Sequence, residues 1–180
     1  MTEFQAYEHT DINSATAFNA EPVLRRVRHR YEGRAWWRRV FGSCEPSPLV
    51  ARAARAAEHQ GAACAEAVLK RLREATFVDR TPVDDVSALA AALADVPGLD
   101  VSRLIRDLES PDVVWSVDAD RSLTRRRGGG EAPCPYPTVL FRGPGGDRVV
   151  TGPQPFEAYV EAIEAVAPAL RGVRPLAEAA

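Results

Sequence analysis

Apolar side chains recur along this chain with strand-like spacing at its two ends and helix-like spacing between them. From Glu3 to Thr10, Phe4, Tyr7 and short apolar residues suit a half-buried strand. Asp11, Asn13 and Ser14 then offer side-chain oxygens for the N-cap of a helix beginning near Ser14. Within that helix Phe18, Val23, Val27 and Tyr31 recur at roughly helical spacing, and Gly33 supplies a stop. Arg34–Gly42, RAWWRRVFG, returns to strand character through its aromatic and branched residues. A helix of this length between two strands is a βαβ unit, which predicts that the strands are parallel neighbours.

The next stretch is helical in pattern. Ser47 and Pro48 read as a cap followed by an N1 proline, and LVARAARAAEHQG runs on to Gly61. AACAEAVLKRLREATF follows with Ala65, Val68, Leu69 and Leu72 on one face. VDDVSALAAALADV groups Val86, Leu89 and Leu93 and stops at Pro97 and Gly98, while LDVSRLIRDLES groups Val101, Leu104, Ile105 and Leu108. PDVVWSVDADRSLTRR continues the helical pattern, against the stiffness of Val113 and Val114. The unequal spacings exclude an array of equal repeats. Arg125, Arg126, Arg127 and Gly128, Gly129, Gly130 read as a flexible basic loop.

Thr138–Arg142 and Arg148–Gly152 read as short strands joined by GPGGD, a hairpin signal. PFEAYVEAIEAVAPAL is a helix that buries Phe156, Tyr159, Val160 and Ile163, and the tail from Gly172 is expected to fray. The predicted order is β-α-β, a helical insertion, then β-β-α, an α/β fold. Residues 1–44 and 128–171 would form the core, 45–127 the insertion and 172–180 a flexible tail.

A chain of 180 residues fits one domain, or one domain with a large insertion, and 46% hydrophobic residues suffice for a core. The net charge of -2 and pI near 6.0 give no general attraction to nucleic acid or to an anionic membrane. Arg25, Arg26, Arg28, Arg30, Arg34, Arg38 and Arg39 are a local exception. They read either as a solvated helix face with strand ends, or as the contact for an acidic partner or anionic ligand. No basic leader precedes an apolar core and no apolar run would cross a bilayer, so a cytoplasmic location is expected. The three cysteines, Cys44, Cys64 and Cys134, lack CxxC spacing and fit free thiols in a reducing compartment. His9, His29 and His59 pair with no cysteine at ligand spacing, so no metal is expected. Abundant arginine and alanine beside a single lysine, Lys70, suggest a GC-rich bacterial source.

Three segments in this order resemble the DsbA-like branch of the thioredoxin superfamily. TDINSATAFNAEPVLRRVR is similar to the family's strand end, CxxC and first helix. LVARAARAAEHQGAACAEAVLKRLREATF is similar to its first two insertion helices, and PYPTVLF with GGDRVVTGPQPFEAYVEAI to its cis-proline loop, hairpin and last helix. That branch includes FrnE-like proteins, 2-hydroxychromene-2-carboxylate isomerases, kappa-class glutathione transferases and the ClpXP adaptors of Spx. The resemblance spans Phe4 to Val166 and implies a thioredoxin-like fold of DsbA type.

The same resemblance gives Pro22 a reason. In these folds a proline commonly kinks the first helix five residues after the second motif cysteine. Counting back from Pro22 reaches Ala17 and then Ser14, so Ser14-Ala15-Thr16-Ala17 would stand where CxxC stands, with both sulfurs gone. Alternatively the helix starts at Glu21 with Pro22 at N1. Pro137 matches the family's cis-proline, which implies that the Tyr136 backbone is exposed to an extended ligand.

Without a thiolate and a resolving thiol, dithiol–disulfide exchange is excluded at Ser14 and Ala17. By resemblance to the kappa-class transferases and chromene isomerases, Ser14 would hydrogen-bond the thiolate of glutathione or mycothiol. The helix start near Asp11, Asn13, Ala15 and Thr16 favours an anion there. Tyr136, Pro137 and Thr138 would hold the cofactor backbone, and Trp36 and Trp37 would wall a second-substrate pocket, with Trp115 also offered as a lining residue. Each has a plainer reading: Ser14 and Asp11 as caps, and Cys134 as an inert small hydrophobe rather than a reactive thiol. Two functions are thus expected to compete. The leading one is a transferase or isomerase, using a thiol cofactor or none, acting on a small-molecule ligand such as a biosynthetic intermediate. The other is a redox-inactive adaptor presenting a protein partner. A monomer or a homodimer suits either.

Overall fold

The computed structural model describes residues 2–42, 48–127 and 135–172. The elements run β1 (Phe4–Thr10), α1 (Ala15–Arg30), β2 (Ala35–Phe41), α2 (Leu49–Glu58), α3 (Ala62–Phe77), α4 (Val86–Leu93), α5 (Val101–Asp107), α6 (Pro111–Arg127), β3 (Thr138–Gly143), β4 (Gly146–Thr151) and α7 (Phe156–Val166). A short 3-10 turn, Pro168–Leu170, follows α7. The chain divides into two compact units. One comprises Met1–Thr10, Thr16–Val40 and Cys134–Ala180; the other comprises Asp11–Ala15 and Phe41–Pro133.

The first unit is built on a four-stranded sheet of order β2-β1-β3-β4. β1 runs antiparallel to β3 with Ala6 opposite Phe141 and Glu8 opposite Val139, and β3 runs antiparallel to β4 with Val139 opposite Val150. Alternation along the strands therefore turns Phe4, Ala6, Val139, Phe141 and Val150 to one face. There they join Leu24, Val27 and Tyr31 beside Tyr159, Ile163 and Val166 in one buried cluster. Phe141 lies at the centre of edge-to-face contacts with Phe4, Trp37 and Tyr159, at centroid distances of 6.1, 5.9 and 6.5 Å. Tyr159 and Ile163 are wholly buried as expected, whereas Phe156 and Val160 are only half-buried because they flank the inward stripe.

β3 and β4 are joined through Pro144 and Gly145, so the hairpin is tighter than the sequence suggests. The turn presses on the end of α7. A β-carbon at Gly145 would lie 2.2 Å from the Ala165 carbonyl oxygen, and one at Gly143 would lie 2.5 Å from that of Val166. Only glycine fits so close to backbone.

In the second unit α2 to α6 enclose their own core, which includes Val68, Leu72, Leu89, Leu93, Leu104 and Val117. α2 contributes Ala53, Ala54, Ala56 and Ala57, whose small side chains let neighbouring helices approach. A buried ion pair sits inside this unit. Asp120, fully buried, accepts from the Phe41 backbone N–H at 3.0 Å and from Arg55, which also holds Glu58 at 2.8 Å. The Asp120 and Glu58 charges and hydrogen bonds raise the Arg55 guanidinium pKa above its ordinary value despite its burial, so it stays charged.

Several local expectations change. Pro48 is the N-cap of α2 rather than its N1 residue, since its φ of -84° and ψ of 8° leave it outside the helix while its carbonyl accepts from Arg52 at 2.8 Å. Val86 is exposed instead of facing the core: it is the first residue of α4, after the Asp85 cap that accepts from Ala88 at 2.8 Å. Arg125, Arg126 and Arg127 belong to α6 rather than to a loop, while Val113 and Val114 are helical as expected, with Val113 buried in the core. Cys44, Ser47, Gly128, Gly129, Gly130, Cys134 and most of the tail, residues 173–180, lie outside the described residues.

Candidate functional site

The segment that leaves β1 is ordered by one side chain. Asp11, nearly buried, accepts the Asn13 backbone N–H at 2.9 Å on its carboxylate, and its carbonyl accepts the Ser14 N–H at 3.2 Å. This Asx-type turn delivers the chain to α1. Asn13 and Ala15 are exposed and Ser14 is half-buried.

α1 then runs unbroken from Ala15 to Arg30 with Pro22 inside it, so the alternative start at Glu21 is ruled out. A proline at this depth removes a helical hydrogen bond and costs about 3 kcal/mol. Thr16 is exposed and Ala17 is buried. The Thr16 hydroxyl donates to the Tyr136 carbonyl at 2.7 Å. The Tyr136–Pro137 peptide is cis. Thr138, buried at the start of β3, donates its hydroxyl to the Pro135 carbonyl at 2.6 Å, and the Pro137 carbonyl accepts from Gly152 at 2.7 Å. Thr16, Tyr136, Pro137 and Thr138 therefore form one connected corner of the first unit.

Each tryptophan has its own surroundings. Trp36 is 44% exposed on β2, where it meets Tyr7 edge to face at 5.3 Å. Trp37 faces the opposite way, into the core of the first unit, and its indole N–H donates to Glu8 at 2.8 Å. Trp115 is 72% exposed on α6.

Behind the corner lies a charge cluster that sequence reading missed. Glu8, fully buried on the inward face of β1, accepts from Trp37 and from Arg28 at 2.8 Å. Arg28 also pairs with Glu21, and Arg39 lies 3.8 Å from Glu8 and 3.6 Å from Glu21. Two carboxylates thus meet two guanidiniums inside the first unit. The signal was there: Phe4, Ala6 and Glu8 share one face by strand alternation, so a carboxylate at an inward position demanded cations nearby.

Among the described residues no helix is long and apolar enough to cross a membrane, and no group of three metal-ligating side chains gathers. Cys64 is buried in α3, where its sulfur meets the Gly98 carbonyl at 3.3 Å.

The arrangement matches solved structures along most of the chain. DsbA of Xylella fastidiosa superposes with a TM-score of 0.73 at 19% identity, over 94% of this chain and 87% of that one. The oxidoreductase NmDsbA1 of Neisseria meningitidis gives 0.72 at 18%, over 94% and 84%. The fold is the DsbA-type thioredoxin fold. A putative protein disulfide isomerase of Nitrosomonas europaea, with a TM-score of 0.72 at 13% identity, is covered over 98% of its length. In sequence, the ClpXP adapter protein SpxH of Shouchella clausii is 30% identical over 115 residues, which is 62% of this chain. The match covers 37% of that relative's length. No protein-family model matches the chain.

Proposed function

We propose that this chain is a redox-inactive binding module on a DsbA-type scaffold, which holds a protein partner and presents it to other machinery. The observation that carries this reading is the make-up of the corner where α1 begins. Ser14-Ala15-Thr16-Ala17 brings no sulfur to it, and the Thr16 hydroxyl is engaged by the Tyr136 carbonyl. Disulfide exchange needs a thiolate and a resolving thiol, and this motif has neither. The sequence match to a ClpXP adapter supports a presenting role, carried over here as part of the proposal. A cytoplasmic setting suits the unpaired thiol of Cys64.

The competing enzyme reading rests on Ser14, Tyr136 and Thr138 holding a thiol cofactor and, for its second substrate, on tryptophans walling a pocket. Trp37 is instead turned to Glu8 and Trp115 is open to solvent, which weakens that support. The test is made on the purified chain. It is expected to associate with ClpXP of its source organism and to speed degradation of a bound protein, with no reduction of insulin disulfides. Turnover of an electrophile with glutathione or mycothiol that Ser14→Ala abolishes would overturn the reading in favour of a transferase.

A further inference from the structure

The outer face of α1 carries cations that the fold does not use. Arg25, Arg26 and His29 are exposed and Arg30 is half-buried. At i, i+3 and i+4 spacings the four side chains are neighbours on one helix surface. Arg28 and Glu21 on the inward side belong to the buried charge cluster, so the outer face has no carboxylate of its own from α1. His29 reaches Glu32 at 3.5 Å, but among the described residues Arg25, Arg26 and Arg30 form no ion pair with any carboxylate. Cations in the last turn complement the helix dipole, which accounts for His29 and Arg30 but not for Arg25 and Arg26 a turn earlier.

A second observation concerns how the guanidiniums are held. Arg26 stacks over the Phe156 ring at 4.0 Å, and Arg30 lies 5.9 Å from the same ring and 5.7 Å from Tyr31. These ring contacts hold two cations beside a half-buried aromatic platform, with the rotamer freedom of long side chains already reduced. Guanidinium groups match carboxylates, which accept two N–H bonds at once.

We propose that this face, Arg25, Arg26, His29 and Arg30 around Phe156, docks an acidic segment of a protein partner. It rests on the binding-module reading only for the partner's being a protein. The net charge of -2 means that overall charge does not drive such binding, so any attraction is local to this face.

The experiment titrates the full chain into a fluorescein-labelled oligoglutamate peptide and follows anisotropy. Binding is expected at low salt and should weaken as salt rises. Arg26→Glu with Arg30→Glu should lose on the order of tenfold in affinity, since each exposed pair contributes modestly and reversal adds repulsion. Arg26→Gln with Arg30→Gln should lose less. Lys70→Glu with Arg106→Glu, the same charge change placed elsewhere, should leave affinity unchanged. Melting curves confirm that each variant is folded. No binding by the native chain, equal loss in the Lys70 and Arg106 variant, or binding of single-stranded DNA in preference to oligoglutamate overturns the proposal. ClpXP delivery is measured in parallel on the double reversal. Delivery that persists while peptide binding fails removes this surface and leaves the binding-module reading standing.

Discussion

Thr16 and Tyr136 lie 120 residues apart, yet the threonine hydroxyl donates to the tyrosine carbonyl at 2.7 Å. The bond ties the first turn of α1 to the residue that precedes β3. It gives the carbonyl a partner within the chain. Thr16→Val, which keeps the shape and removes the donor, should cost about 0.5–1.5 kcal/mol, toward the low end because the site is open to water. Urea unfolding measures it. Thr16→Ser should restore most of the loss. Equal stability of Thr16→Val and the native chain would mean that water replaces the hydroxyl without penalty.

Much of the fold was legible in the sequence because its signals are local. Pro22 inside a continuous α1, the hairpin between β3 and β4, and the buried stripe of α3 each follow from residues within a few positions of one another. The ties that were not legible join distant residues. Thr16 with Tyr136, Arg55 with Asp120 at a separation of 65, and Phe41 with Asp120 at 79 leave no periodic trace. Glu8 was half-legible. Its inward position could be read from strand alternation, but not which arginines of a rich local set would answer it. Trp37 was half-legible in the same way: alternation sets its ring on the side opposite to Trp36, but does not show that its indole would meet Glu8.

Reading Ser14 and Ala17 as the place of a lost sulfur pair implies that the chemistry can be put back. Ser14 is half-buried and Ala17 buried, so a first thiol there would be reachable and a second one sheltered. The variant Ser14→Cys with Ala17→Cys should form an internal disulfide on mild oxidation, read as loss of the added free thiols. It should also gain insulin-reducing activity that the native chain lacks. A double variant that stays fully reduced under conditions that oxidise ordinary dithiols would remove the assignment of these positions.

The Glu8 cluster makes a stability expectation of a different size. Glu8→Ala removes the buried acceptor of the Trp37 indole and one of the two carboxylates that hold Arg28, and should cost about 3–5 kcal/mol. Glu8→Gln keeps an acceptor for the indole but removes the charge facing Arg28, so its loss should be smaller. Indole fluorescence of Trp37 should shift in both variants. A neutral outcome for Glu8→Ala would mean that Glu21 alone satisfies both guanidiniums.

Packing at the hairpin gives a sharper steric test. Gly145→Ala sets a methyl group against the Ala165 carbonyl oxygen, 2.2 Å from where its carbon would sit. Gly145 also donates to the Val166 carbonyl at 2.8 Å, so the turn cannot simply swing away without losing that bond. Overpacking of this kind costs about 1–3 kcal/mol. Thermal unfolding should show the loss, whereas Gly172→Ala, with open space around it but a positive φ of 70°, should cost only modest backbone strain.

Tyr159 links the core of the first unit to pH. Its ring is fully buried beside Phe141, and its hydroxyl donates to the Gly152 carbonyl at 3.3 Å. Burial pushes the phenol up from 10.0 to about 12, with the Glu8 charge adding in the same direction. The folded state therefore holds the proton more tightly than the unfolded chain does. The resulting stability is fully present below pH 10 and is lost as pH climbs from 10.0 to about 12. A shift of that size corresponds to roughly 2–3 kcal/mol. Stability against urea should fall across this window in the native chain and fall less in Tyr159→Phe, which has no proton to release. Tyrosinate absorbance should rise late for two of the four tyrosines, Tyr159 and Tyr31, and together with unfolding. If Tyr159→Phe loses stability over the same window as steeply as the native chain, another group governs alkaline unfolding. Buried Tyr31, whose phenol is also raised chiefly by burial, would be the next to replace.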